Sequence, residues 1–381
     1  MTADLPRPAG APAWARFAGR LATGVVECVD VLREPERLRS GLWFVVVDFE
    51  AGRGGRARAW RFADVRPDDG GGVPDGVAGP GAAWRGPAPS AWRSSMGRDA
   101  YTAAVERVRA HVREGDVYQV NVCRVLAAPL PASAGGAEPS AAALAARLAA
   151  GNPAPHAAAV HVPAGVPGVD PVWVVSASPE LYLALEPGRE GPVLRSGPIK
   201  GTARTPAGLT AKDRAENVMI TDLVRNDLQR VCRPGTVAVS DLLAVEPHPG
   251  LVHLVSRVRG VLADDVAPAP DLWARLLAGT FPPGSVSGAP KAAALRIIGE
   301  LEPTARGPYC GAVGWVDGDA GRAELAVAIR TFWWDDGVLR FGTGAGITWG
   351  SDAAAEWRET ELKAERLVGL ASADGGDGRG R

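Results

Sequence analysis

Between Gly41 and Glu50 the chain reads GLWFVVVDFE, an unbroken apolar run too short for a helix, which predicts a buried strand. Over residues 99–114, DAYTAAVERVRAHVRE, the period changes. Tyr101, Val105, Val108 and Val112 recur on one helical face behind a cap-competent Asp99. Strands are expected at DVYQVNVCRVLAA (116–128), AAAVHVPA, VWVVSAS and LYLALEP. Residues 210–232 open on the box-like TAKD and read as a long helix ending before Arg-Pro-Gly. The C-terminal third then runs helix, GAVGWVD hairpin, a single strand AELAVAIRTF, a strand GVLRFGTGAGI, and a final helix from Ser351.

Two stretches carry neither period: 66–90 and 129–140, both rich in glycine and proline, read as loops. The first separates a short N-terminal section, 1–94, from a body at 95–370; the residues from 371 to 381 are expected to be a disordered tail. Strands in runs broken by long helices point to an α+β fold with a large antiparallel or mixed sheet.

Composition narrows the function classes. Formal net charge is −1 over 381 residues, so no basic field points to nucleic acid or an anionic membrane. No stretch approaches the ~20 apolar residues that span a bilayer, and the N-terminus lacks the apolar run of a signal peptide. The four cysteines lie far apart without Cys-x-x-Cys spacing and read as reduced thiols. The expectation is a soluble, cytoplasmic protein.

Lysine is scarce. Of 42 basic residues only Lys200, Lys212, Lys291 and Lys363 are lysines, and Lys200 sits in RSGPIKGTARTP. Arginine stays charged at any accessible pH, whereas a buried lysine can lose its proton and attack. A turn residue that happens to be lysine is the plain alternative.

Two helices present carboxylates at matching spacing. Asp213 and Glu216 share a face of AKDRAENVMITDLVRNDL, and Asp352, Glu356, Glu359 and Lys363 fall at i, i+4, i+7 and i+11. Two readings stand: solvated faces with a Glu359–Lys363 surface pair, or a hard-cation site built from both helices. The segment GTFPPGSVSGAPKAAALRII leaves free N–H groups at a helix start, but it is no Walker loop. The glycines at 342, 344 and 346 fit either a tight turn or a carboxylate-binding nest of N–H groups. His253, flanked by Val252, Leu254 and Val255, has the setting of a satisfied core histidine.

Taken together, GDVYQVNVCR, SPELYL, GPIKGTART, KDRAENVMITDLVRNDLQRVCRPGTV, VHLVSRVRG, GTFPPGSVSGAPKAAALRIIGELEP, YCGAVGW, AVAIRT, GAGI and AEWRETELKAERL resemble, in this order, the chorismate-utilising enzymes. That group joins anthranilate and aminodeoxychorismate synthase components I with their isochorismate and salicylate relatives. The resemblance covers roughly residues 95–370; the first 94 residues match weakly. It implies two packed, largely antiparallel β-sheets with outer helices, the site between them, and a Mg²⁺-dependent reaction on chorismate.

By match to the family's acidic motifs, Glu216 and Glu359 are implied as metal ligands with Glu356 beside them. Lys363 matches a lysine near the bound carboxylate. Arg330 and Tyr309 match residues on the enolpyruvyl side, the backbone of Gly344, Ala345 and Gly346 is implied to cradle a carboxylate, and Thr202 and His253 match pocket residues.

Two positions separate the branches. Isochorismate and salicylate synthases carry a water-activating lysine where this chain has Gln119, which favours nitrogen as the incoming nucleophile. Anthranilate synthases carry Pro-Ile-Ala-Gly-Thr, whereas this chain has Pro-Ile-Lys-Gly-Thr and looks like the aminodeoxychorismate branch. That implies Lys200 attacking C2 of chorismate as a neutral amine, with Glu180 as general acid/base for the C4 hydroxyl. No segment resembles a glutamine amidotransferase, so ammonia is expected from a separate glutaminase subunit or from solution. Anthranilate formation, isochorismate formation and a non-catalytic chorismate binder are the alternatives.

Overall fold

The computed structural model describes residues 12–68, 83–133, 136–248 and 251–373. Among these residues there are six α-helices: α1 (Arg98–Glu114), α2 (Ala141–Gly151), α3 (Ala211–Gln229), α4 (Leu272–Thr280), α5 (Lys291–Leu301) and α6 (Ala353–Ala371). The strands pair antiparallel into one continuous ribbon. One arm begins at the edge with Ala238–His248, then Leu251–Val261, along which Val193–Gly197 and Ile199–Ala203 lie end to end. It continues through Leu181–Glu186, Arg322–Val327, Ala312–Asp317, Leu42–Val47, Ala57–Pro67 and Arg20–Asp30. The other arm runs through His156–Val162, Val172–Ser178, Thr331–Asp335, Val338–Ile347 and Gln119–Pro129.

The fold class is α+β and antiparallel, as expected, with the two sheets realised as arms joined at Trp14–Phe17. That short strand pairs with Arg20–Asp30 on one side and His156–Val162 on the other. Inward-facing residues of both arms, including Phe44, Leu183, Leu325, Val122, Val160 and Ile347, form one apolar cluster.

The apolar run at 42–47 lies between two neighbouring strands and is buried except at Leu42. Each such Val or Phe contributes about 1.5–3 kcal/mol by leaving water. Helix α1 buries Tyr101, Val105 and Val108, but Asp99 is not its cap: Gly97 holds that position and Asp99 lies in the first turn. A carboxylate there suits the positive end of the helix dipole. The box at TAKD forms as expected, with Thr210 Oγ1 accepting from Asp213 N at 3.1 Å and Asp213 Oδ2 accepting from Thr210 N at 2.8 Å.

Other expectations need correction. Residues 141–151 form helix α2, capped by Ser140, where no helix was expected. The stretch AELAVAIRTF is broken into Arg322–Val327 and Thr331–Asp335, with Arg330 at φ +53° between them. Ala371, the first residue of the expected tail, still belongs to α6; residues 374–381, 69–82 of the first loop and 134–135 of the second lie outside the described residues.

Helix α3 packs on Leu251–Val261 and Ile199–Ala203 in one arm. Helix α6 packs on Val338–Ile347 and on α1 in the other. No helix among the described residues is long and apolar enough to cross a membrane.

Candidate functional site

A cavity of about 420 Å³ lies where the two arms face each other, and nearly every residue singled out from the sequence lines it. Lys200 projects from Ile199–Ala203. The following residue, Gly201, has φ +90°, and a Cβ there would stand 2.9 Å from Asp213 Cβ, so only glycine lets α3 approach this strand. Thr202 and His253 lie opposite each other in the ladder, with Thr202 Oγ1 and His253 Nδ1 2.8 Å apart. His253 is thus a buried and hydrogen-bonded side chain that also lines the cavity.

Glu180 sits in the bend between Val172–Ser178 and Leu181–Glu186 and is only 4% exposed. Its backbone is fixed on both sides: its N–H donates to Ser178 Oγ at 3.2 Å and its carbonyl accepts from Val327 N at 3.0 Å. Burial pushes its carboxyl up to about 7, against the opposing pull of the Ser285 hydroxyl, Lys200 and His156. A group poised there takes and gives protons near neutrality.

The opposite wall is the strand Val338–Ile347. It pairs with Gln119–Pro129 along its whole length, but its other edge pairs with Thr331–Asp335 only as far as Phe341. Beyond Phe341, that edge has no strand partner among the described residues, and 342, 343, 344 and 346 line the cavity. The glycine segment is therefore neither a tight turn nor a nest. It is extended strand whose second edge, beyond Phe341, has no strand partner among the described residues and borders the cavity. The side chain of Ala345 points away, into the apolar core.

Arg330 occupies the break between strands, and its guanidinium has no ion-pair partner among the described residues. Burial alone lowers its pKa from the usual arginine value. Such an unpaired, partly desolvated cation is stabilised by any anion that enters. Tyr309, 5% exposed, is part of the same lining, and burial pushes its phenol well above the ordinary value.

Helices α3 and α6 bring their acidic faces to the same cavity. The Lys212 ammonium lies 3.5 Å from Glu216 and 3.7 Å from Glu356, bridging the helices. Burial pulls the Lys212 ammonium down, but Glu216, Glu356 and Glu359 outweigh it and hold its pKa above the usual value. Burial, together with the charges of Glu359 and Glu216, raises Glu356. Glu359 is pushed up by burial too, yet the Lys363 ammonium at 2.6 Å outweighs that and holds it below the usual range. Lys363 Nζ also donates to Gly344 O at 3.0 Å, so it ties α6 to the free strand edge.

Glu216, Glu356 and Glu359 offer hard oxygen donors, the set that suits Mg²⁺. Among the described residues their ligand atoms are not gathered as a trio; the one such trio is His111, Glu114 and Asp116 at the end of α1. In this arrangement cations of the chain itself, Lys212 and Lys363, neutralise the carboxylates. The sequence reading missed Lys212 as a lining residue, and with it Asn121 and Ser285, whereas Asp213, named there with Glu216, does line the cavity. Lys212 had a signal, since it lies four residues before Glu216 on α3.

Residues 78–369 match the family described as chorismate binding enzyme. Aminodeoxychorismate synthase component 1 of Klebsiella aerogenes is 38% identical over 291 residues, which cover 73% of this chain and 59% of that protein. Anthranilate synthase component 1 of Streptomyces coelicolor is also 38% identical over 291 residues, covering 73% of this chain and 52% of that one. This chain thus spans between half and three fifths of their lengths. The solved structure of anthranilate synthase component I from Streptococcus pneumoniae superposes with a TM-score of 0.70 at 21% identity, covering 97% of this chain and 94% of that one.

Proposed function

The chain belongs to the chorismate binding enzymes, and from that premise we propose that it aminates chorismate at C4 through a covalent bond to Lys200, the reaction of an aminodeoxychorismate synthase. The observation that carries this reading is the shared cavity of Lys200 and Glu180. A single lysine stands within the electrostatic reach of a carboxyl that titrates near 7.

Chorismate is a dianion, and the cavity offers two places for carboxylates. Arg330 with the free edge at 342–346 suits the enolpyruvyl carboxylate, with Tyr309 against the side chain. The acidic helix faces accept a ring carboxylate only through a cation: Glu216, Glu356 and Glu359 would hold Mg²⁺, which supplies charge neutralisation for that carboxylate and the departing oxygen. Thr202 and His253, already bonded to each other, form the wall beside Lys200.

The Lys200 amine, uncharged at the moment of attack, adds to C2. Both ring double bonds shift, C1=C2 to C1=C6 and C5=C6 to C4=C5, and the C4–O bond breaks as Glu180 delivers the proton that lets the hydroxyl leave as water. Ammonia then bonds to C4, both double bonds shift back, and the C2–N bond to Lys200 breaks. Glu180 takes up the surplus proton, and the product keeps its enolpyruvyl group. Ammonia comes from a separate glutaminase subunit or from solution. Gln119, at the position of the water-activating lysine, cannot generate hydroxide, which disfavours isochorismate formation.

Incubation with chorismate, Mg²⁺ and ammonium, followed by chromatography and mass measurement, tests the reading. A product with nitrogen at C4 and the enolpyruvyl group retained supports it. Anthranilate plus pyruvate overturns it in favour of the anthranilate branch.

A further inference from the structure

Lys200, Lys212 and Lys363 line the cavity, and the remaining lysine, Lys291, does not. It is buried behind the wall at the start of α5, with Nζ donating to Asp227 Oδ2 and to Thr280 O, each at 2.8 Å. Lys291 and Asp227 side chains are 15% and 7% exposed. A buried ion pair is weak support for stability, because desolvating both charges offsets their attraction. What the pair holds is more informative than its own strength.

Asp227 also accepts the N–H of Gly284. The pair therefore grips both ends of the short segment 280–284: Lys291 at the Thr280 carbonyl, Asp227 at the Gly284 amide. Tyr182 adds a third tie, its hydroxyl 2.6 Å from Thr280 Oγ1. The residue this segment delivers is Ser285, 2% exposed, whose hydroxyl favours the charged form of the Glu180 carboxyl. Ser285 lines the cavity beside Glu180, and both also line a space of about 10 Å³ behind it, with Tyr182, Thr280 and Asp227.

We infer that Asp227 and Lys291 are a positioning pair for the reaction: they fix the 280–284 segment so that Ser285 donates to Glu180 and holds its carboxylate toward Lys200. The glycine- and proline-rich segment GTFPPGSVSGAPK thus serves the site by shaping a hydroxyl donor, not by binding an anion. The other groups around Glu180 are Lys200 and His156, which favour its charged form, Arg330 across the cavity, and Tyr182 and Asp227 behind it. His156 itself is engaged by Glu324 at 3.1 Å. The consequence for turnover rests on the role proposed above for Glu180; the hydrogen-bond chain itself does not.

The first test therefore uses the full chain without substrate. Infrared titration of the carboxyl bands, with the Glu180→Gln difference spectrum as assignment, reads Glu180 directly. Ser285→Ala removes a donor to the ionised form, so the titration midpoint should rise by about one pH unit. Asp227→Asn/Lys291→Met removes both charges without orphaning either and should raise it similarly, with Ser285→Ala adding little on top. An unmoved midpoint in Ser285→Ala overturns the proposal by itself. A shift in Ser285→Ala but none in a folded Asp227→Asn/Lys291→Met chain overturns the part assigned to the pair. In turnover, the pH profile of kcat should follow the same shift while KM for chorismate holds. Shifted titrations in a chain that fails to aminate chorismate would sink the functional reading and leave this inference standing.

Discussion

Lys200 and Gly346 meet at close quarters across the cavity: a Cβ on Gly346 would stand 3.9 Å from Lys200 Nζ and 2.7 Å from Gln119 Nε2. The free strand edge and the proposed nucleophile therefore share one confined space, and the side chain that intrudes first is Gln119, which is 2% exposed and has little room to yield.

Gly346 lies in ordinary extended backbone, so Gly346→Ala tests space and not strain. The added methyl should lower kcat/KM for chorismate at least about tenfold, in keeping with the cost of small displacements in a reacting geometry. The melting temperature should fall by only a few degrees. Steady-state kinetics beside a thermal melt separate the two, and full turnover in this variant contradicts the placement of the reacting atoms.

Glu180 gives a stability signature with a definite sign. Its carboxyl is pushed from 4.5 to about 7, so the folded chain binds this proton more tightly than the unfolded one. Across that window stability falls as pH rises, and above it the cost is fully present. Glu180→Gln removes the charge. It should stabilise the fold near pH 8 by on the order of 3 kcal/mol, with little change near pH 5, while turnover drops by about a hundredfold or more. Melting curves at the two pH values decide it; the same difference at both contradicts a buried, raised carboxyl.

A divalent cation drawn to Glu216 and Glu356 must displace the Lys212 ammonium, which lies 3.5 and 3.7 Å from them. That contact is half-exposed, so its loss is worth roughly 1 kcal/mol, or about fivefold in affinity. Lys212→Met should bind Mg²⁺ about fivefold more tightly by calorimetry, whereas Glu216→Gln and Glu359→Gln should weaken binding. Chelator treatment should stop turnover and added Mg²⁺ restore it. Equal Mg²⁺ affinity in Lys212→Met and the parent chain speaks against competition at these carboxylates.

Arg306 and Glu302 form a pair at 2.6 Å with side chains 1% and 6% exposed. The guanidinium also donates to Val286 O and Asn121 O, each at 2.8 Å, and Glu302 Oε1 accepts from Cys123 N at 2.8 Å. The pair stitches the Ser285 segment to the strand that carries Asn121. Arg306→Met leaves a buried carboxylate uncompensated and should cost about 3–5 kcal/mol in urea unfolding. A loss below about 1 kcal/mol would show that water reaches the site.

The parts of the site legible in the sequence are those whose signal is local. Lys200 stood out by scarcity, Glu216, Glu356 and Glu359 by helical spacing, and the Thr210–Asp213 box by its own motif. What stayed hidden is made by long-range contact. Nothing near Lys291 announces Asp227, and the Cys123 thiol meets the Tyr309 hydroxyl at 3.8 Å although no spacing pairs them. Helix α2 escaped because its alanine-rich sequence gives little contrast between faces and follows a glycine- and proline-rich loop. The break at Arg330 is invisible in AELAVAIRTF because the left-handed backbone falls on a residue that does not favour it.

The most direct test of the central claim is the intact mass of the chain mixed with chorismate and Mg²⁺ in the absence of ammonia, followed by peptide mapping. The expected result is a species heavier by chorismate less one water, with the added mass on Lys200, discharged when ammonium is supplied and absent in Lys200→Ala. No adduct at any time, together with amination that persists in Lys200→Ala, would contradict a covalent role for this lysine.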